Sequence, residues 1–250
     1  MQERVHGTTM PVLSIHLEPG ESVVAEVGEF SWMTDAIQMS TALTGDMADE
    51  PLMGALGRAD GAPLLTSTYT AQGGPGTISF AAKVPGSILP VDVGPGTEYL
   101  VHRHGFLAGT PGVEISVGFQ RSFRAGIFAG EGFALHRIGG QGRAWAELSG
   151  QVIPHELASG ESLRVHPGHV GMFQVSVAFQ MVRVPGITNR YFGGDADYFA
   201  ELSGPGTVWL QSMPLSQLAA SLVPYLPAAQ DRPEPIESGL VGGVFGDVLT

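Results

Sequence analysis

The chain has 250 residues, of which 43% are hydrophobic and 14% charged, with a net charge of −12, one lysine and no cysteine. This is apolar enough for a sizeable core, and it excludes a disordered chain, disulfides, thiolate metal sites and cysteine nucleophiles. The acidic balance and the scattered arginines speak against nucleic acid or anionic lipid as the main partner, because binding phosphate needs clustered cations.

The N-terminal Met1-Gln2-Glu3-Arg4 leads into a strand pattern with no apolar leader, and no run approaches the ~18 apolar residues of a membrane span. The expected location is therefore cytoplasmic, with no sign of membrane association. Alternating residues from Val12 to Leu17 predict the first clear strand. Gly20-Glu-Ser-Val-Val-Ala-Glu-Val-Gly28 then reads as turn, strand and turn, with Glu26 and Glu29 at the second turn. From about 35 to 61 methionines, including Met39, Met47 and Met53 with Met33 just ahead, mix with alanine, glycine and acidic residues; soft side chains suit an adaptable surface. Gly74-Pro-Gly76 opens a strand predicted over Thr77 to Lys83.

The turn at Gly96 is followed by Glu98 and by His102-Arg103-His104, and strands are predicted over Val113 to Phe119 and Gly132 to Ile138. Gly140-Gln-Gly142 and Trp145 come next, then Gly160-Glu-Ser-Leu-Arg-Val-His-Pro-Gly168 with His166 and His169. A long alternating run from Val170 to Val182 precedes Gly204-Pro-Gly206 and Trp209. The single helix is expected over Pro214 to Leu226. Leu215, Leu218, Ala219 and Leu222 share one face, proline stands at the start and end, and the stripe suits a lid on an open end of the sandwich. Residues 228–250 read as a linker and a glycine-rich tail.

Two motifs thus recur in the same order. Gly74, Gly140 and Gly204 are spaced 66 and 64 residues apart, and Gly96 to Gly140 and Gly160 to Gly204 are both 44. Gly20 to Gly74 is 54, and the excess falls in the 35–61 segment. Three diverged copies of one unit follow, at about 12–91, 92–154 and 155–213. The fold expected is all-β, a β-sandwich or double-stranded β-helix, with the three units in a pseudo-threefold arrangement. None of the Gly-x-Gly pairs lies between a strand and a helix, so no dinucleotide site is indicated.

Pro19-Gly20-Glu21-Ser22, the run Gly28 to Met33, Pro85-Gly86, Gly130-Glu131-Gly132 and Gly204-Pro-Gly-Thr-Val-Trp-Leu-Gln211 resemble a known family. It comprises the bacterial relatives of the mitochondrial protein named for altered inheritance of mitochondria. The resemblance spans roughly residues 10 to 213. It implies a fold related to the tryptophan RNA-binding attenuation protein, an oligomer, and no catalytic residues to carry over.

Of candidate chemistry, the histidines come first. His102 and His104, at i and i+2 on a strand, face one way and could grip a metal, with His166 and His169 at the corresponding turn of the third unit. Yet residues 108 and 109, where a cupin-like site would place its carboxylate, are Ala and Gly. The expectation is polar turn histidines bonded to water or backbone, with a cupin-like metalloenzyme or small-ligand binder as the alternative. Glu21, Glu98 and Glu161 recur near equivalent turns and are expected to have a structural hydrogen-bonding role and not an acid–base one, as are Glu131 and Asp195. Trp145 and Trp209, with Phe80 as their counterpart, are expected to pack in a core or an interface. No catalytic residue, metal or cofactor is expected. The low charge density leaves sheet edges few gatekeepers, so a non-enzymatic homo-oligomer, most simply a trimer, with an unknown protein partner is the expected function.

Overall fold

Short apolar runs cut by glycine and proline make strands that are too short to stand alone, so they must pair and then stack two sheets deep. The computed structural model describes residues 1–43, 64–121, 132–183 and 198–226, and its 19 strands follow that rule. An N-terminal strand, β1 (Gln2–His6), precedes three sets of six. The first set is β2 (Val12–Leu17), β3 (Ser22–Glu26), β4 (Trp32–Met33), β5 (Ile37–Leu43), β6 (Leu65–Ala71) and β7 (Gly76–Ala81). The second is β8 (Gly86–Val93), β9 (Tyr99–His102), β10 (Phe106–Gly109), β11 (Val113–Arg121), β12 (Phe133–Gly140) and β13 (Gly142–Ser149). The third is β14 (Val152–Leu157), β15 (Ser162–Val165), β16 (Val170–Gln174), β17 (Ala178–Arg183), β18 (Tyr198–Ser203) and β19 (Gly206–Gln211).

All three sets pair alike. The first, sixth and third strands form one sheet, and the second, fifth and fourth form the other. The second strand of each unit also pairs antiparallel with the third strand of the next, β3 with β10 and β9 with β16. Units are thereby fused into two six-stranded sheets, β5-β6-β3-β10-β13-β8 and β11-β12-β9-β16-β19-β14, flanked by β1-β2-β7-β4 and β15-β18-β17. The pairing unit starts a few residues earlier than the sequence suggested, because β8 and β14 belong with the strands that follow them. Among the described residues β4 and β15 are end strands, and no pairing joins the third unit to the first.

Each unit buries its own core. In the first, Leu13, Ile15, Leu17, Ile78 and Phe80 meet Val23, Ala25, Ile37, Tyr69 and Ala71, and the cluster extends to Leu107 and Trp145 of the second unit. The repeated glycines have backbone reasons. Gly20, Gly96 and Gly160 hold φ of 86°, 78° and 86°, a region that costs other residues roughly 1–2 kcal/mol. At Gly142 a β-carbon would stand 2.0 Å from Thr110 Oγ1, and at Gly206 2.6 Å from Ser176 Oγ.

Three expectations need correcting. The run Val170 to Val182 is two strands, split by a turn in which Val177 N–H donates to the Gln174 carbonyl at 3.0 Å. Helix α1 (Leu215–Leu222) continues as a 3-10 turn over Val223–Tyr225, but it buries none of its residues; it rests on the Pro167–His169 turn and leaves Leu222, Val223, Tyr225 and Leu226 exposed. Phe80 is not the counterpart of the tryptophans. Trp145 and Trp209 stand opposite Pro90 and Pro154, whereas Ser79, opposite Ser14, holds that register in the first unit. Glu131, Asp195, Met47, Met53 and the 228–250 tail lie outside the described residues.

Candidate functional site

Glu147 lies in Ala144-Trp-Ala-Glu-Leu148, a strand buried on both faces, and its side chain is 3% exposed. A buried carboxylate needs partners. Its Oε1 accepts the Lys83 backbone N–H at 2.9 Å, between β7 and β8. Lys83 Nζ in turn pairs with Glu29 Oε1, from the β3–β4 turn. His102, at the end of β9, bonds through Nε2 to the Glu147 carbonyl at 3.0 Å. His136, on β12, places Nδ1 3.9 Å from Glu26 Oε2, at the end of β3. Glu26, Glu29 and Lys83 come from the first unit, and His102, His136 and Glu147 from the second. These six groups fill the joint made by the β3–β10 pairing.

Burial sets their charge. It pushes Glu26 up to about 7, helped by the neighbouring Glu29 and opposed by Lys83 and Arg103. It also raises Glu29, against the pull of Lys83, and Glu147. Burial brings His102 down to about 4, against its bond to the Glu147 carbonyl, and His136 down to about 4, with Arg103 adding repulsion. At neutral pH the imidazoles are neutral and Glu26 is near half protonation. His136 Nδ1, Trp145 Nε1 and Glu147 Oε2 are buried without a hydrogen-bonding partner among the described residues.

The second joint has the same build without the charge. Gln211 takes the place of Glu147, five residues beyond Gly206 as Glu147 is beyond Gly142, and its Oε1 accepts the Ser149 N–H at 3.1 Å. Ser149 holds the place of Lys83. His169 Nδ1 bonds to the Gln211 carbonyl at 2.8 Å, and Gln211 Nε2 donates to the Gly168 carbonyl at 3.0 Å. The family of the chain can now be stated. The model of the family described as mitochondrial biogenesis AIM24 matches residues 3–213. The chain belongs to that family. An uncharacterized protein of Streptococcus pyogenes serotype M6 is 25% identical to this AIM24-family chain over 225 residues, which is 88% of the chain and 89% of the relative. A crystal structure of a Streptococcus pyogenes protein has the same fold, with a TM-score of 0.70 at 22% identity, covering 90% of this chain and 99% of that one.

Of the four histidines singled out in the sequence, His102 and His169 serve the two joints. His102 and His169 each bond a backbone carbonyl, His104 is exposed, and the His166 and His169 rings lie 5.9 Å apart beside α1, where Gln217 Nε2 is 3.3 Å from His166 Nδ1. Among the described residues no three histidine or carboxylate side chains are grouped to hold a metal. Glu21 and Glu161 bond backbone, taking the Glu18 and Ala158 N–H at 2.9 and 2.8 Å, and Glu98 accepts from the Arg137 side chain. Trp145 packs in the first core; Trp209 is half-buried, edge-on to Tyr99 with ring centroids 6.0 Å apart. Sequence reasoning passed over Lys83, His136 and Glu147. The legible signal was Glu147, a lone charge inside an apolar strand.

Proposed function

We propose that this AIM24-family chain is a non-catalytic, cytoplasmic scaffold or binding protein that works as a homo-oligomer, with a trimer favoured, and that its fold is of the kind found in the tryptophan RNA-binding attenuation protein. One observation carries the reading: the densest set of buried ionisable groups among the described residues sits where Gln211 and Ser149 do the same work one unit later without charge. A group whose neutral counterpart makes the same bond to the neighbouring unit is acting as a fastener, not as an acid or base. No helix among the described residues is long and apolar enough to cross a membrane. With a net charge of −12, the partner in this reading is protein, not nucleic acid.

Multi-angle light scattering of the full chain tests the assembly. A mass of three times the 26.2 kDa chain is expected at micromolar concentration, and a lone monomer there would refute the reading. Glu147→Gln tests the fastener. It should leave fold and assembly intact, because glutamine offers the Lys83 amide the same oxygen that Gln211 offers Ser149.

A further inference from the structure

The two joints inside the chain use one pairing twice, and the chain ends with the two halves of a third. The second strand of a unit pairs with the third strand of the next at β3–β10, where Val24 faces Gly109, and at β9–β16, where Leu100 faces Phe173. Among the described residues β4, the third strand of the first unit, has no such partner and ends the sheet β1-β2-β7-β4. Among the described residues β15, the second strand of the third unit, likewise has no such partner and ends the sheet β15-β18-β17. Among the described residues the chain therefore carries one unmatched edge of each kind, on opposite terminal units.

The edges of the first strands of the units are guarded. Pro90 on β8 and Pro154 on β14 have no N–H to offer a further strand, and the equivalent strand β2 is covered by β1 along its whole length. β4 and β15 contain no proline. Around β4 the surface is also apolar: Val27, Phe30 and Trp32 are exposed by 50%, 37% and 53% within seven residues. A soluble acidic chain does not place three large hydrophobic side chains beside an open strand unless that place is covered.

We infer that β4 of one copy pairs with β15 of a second copy, repeating the internal joint head to tail. The proposal rests on the oligomeric reading above and gives it a geometry. Both internal joints fix the register. Ser22 and Ser162 occupy one position, each with its hydroxyl bonded across to the fifth strand (Thr70 and Ser203), so Arg164 corresponds to Val24. Opposite Ser79, Trp32 corresponds to Ala108 and Met172, which stand opposite the two tryptophans, so Met33 corresponds to Gly109 and Phe173. Met33 of one copy then faces Arg164 of the next, and Trp32 faces Val165. Because the two surfaces differ, the contact is heterologous, and every copy uses both of its ends only in a closed ring.

The chain has no cysteine, so single cysteines report this contact without background. Met33→Cys and Arg164→Cys are made separately in the full chain, checked for native circular dichroism, mixed under conditions that allow subunit exchange, and oxidised. Disulfide-linked pairs should form in the mixture and not in either variant alone, since the two sites meet only each other. Linked pairs from one variant alone would mean that like edges meet, and would overturn the inference while leaving an oligomer in place. Folded variants that scatter as oligomers but link in no combination would overturn it equally. A wild-type chain that scatters as a monomer would remove the inference together with the reading beneath it.

Discussion

Replacing Glu26 by glutamine tests the charge balance of the first joint. The carboxyl has a folded-state value of about 7, raised by burial first and by Glu29 second, against 4.5 for the free side chain. Between those two values the folded chain holds a proton that the unfolded chain has released, so stability falls as pH rises from about 4.5 to 7. Above pH 7 the full penalty applies, because Glu26 is then charged where charge is disfavoured. The ceiling on that penalty is ~3 kcal/mol. The carboxylate keeps 25% of its exposure and solvent screens it, so about 1–2 kcal/mol is the working expectation. Glutamine is neutral throughout and lacks the fall. Urea unfolding at fixed chain concentration, followed by tryptophan fluorescence at pH 5 and pH 8, measures the difference. Relative to wild type, Glu26→Gln should gain about 1–2 kcal/mol on going from pH 5 to pH 8. An effect of equal size at both pH values, or a loss confined to pH 8, would refute the reasoning.

The histidines act in the opposite direction. Their folded values of about 4 lie below the ordinary 6.5, so the stability tied to their neutral form is complete above pH 6.5 and is lost as pH falls toward 4. His136→Gln should remove about one proton, or ~1.4 kcal/mol per pH unit, from the stability slope in that window, and an unchanged slope in the same urea series would count against it. Among the glycines, Gly142→Ala should lower the melting temperature more than Gly160→Ala. Both leave favourable glycine conformations, but only the first drives a methyl group into Thr110, while the second meets nothing within 4 Å; equal losses in thermal melts would contradict the packing argument.

The repeats were legible because their markers are backbone requirements. A turn at φ near +80° needs glycine wherever the unit recurs, so Gly20, Gly96 and Gly160 survive divergence of everything between them. Glu21 and Glu161 were legible for a similar reason, each capping its own turn three residues back. The split of Val170 to Val182 was not, because the turn at Val175 and Ser176 uses neither glycine nor proline and the alternation runs on through it. The joint was hidden for a different reason. Glu26, His136 and Glu147 lie on separate strands and Lys83 between two others, scattered over more than a hundred residues, and only the pairing of one unit's second strand with the next unit's third brings them together. Alternation says which face a residue takes; it carries no information about which strand lies beside it.

The N-terminal strand has a consequence for how the chain can be handled. Every residue of β1 is exposed, so Gln2 to His6 add nothing to the core and serve through their amides and carbonyls, with the Glu3 carboxylate also paired to Arg143 of β13 at 2.8 Å. They hold the flank of β2 with Arg4 opposite Ser14, the position that proline occupies in the other two units. A whole segment here does the work that a single residue does at Pro90 and Pro154. Apart from Glu3, which pairs with Arg143, the identity of these side chains should therefore be freely exchangeable. Their removal, or a bulky fusion that peels them away, would turn a well-behaved chain into one that sticks to its neighbours along β2.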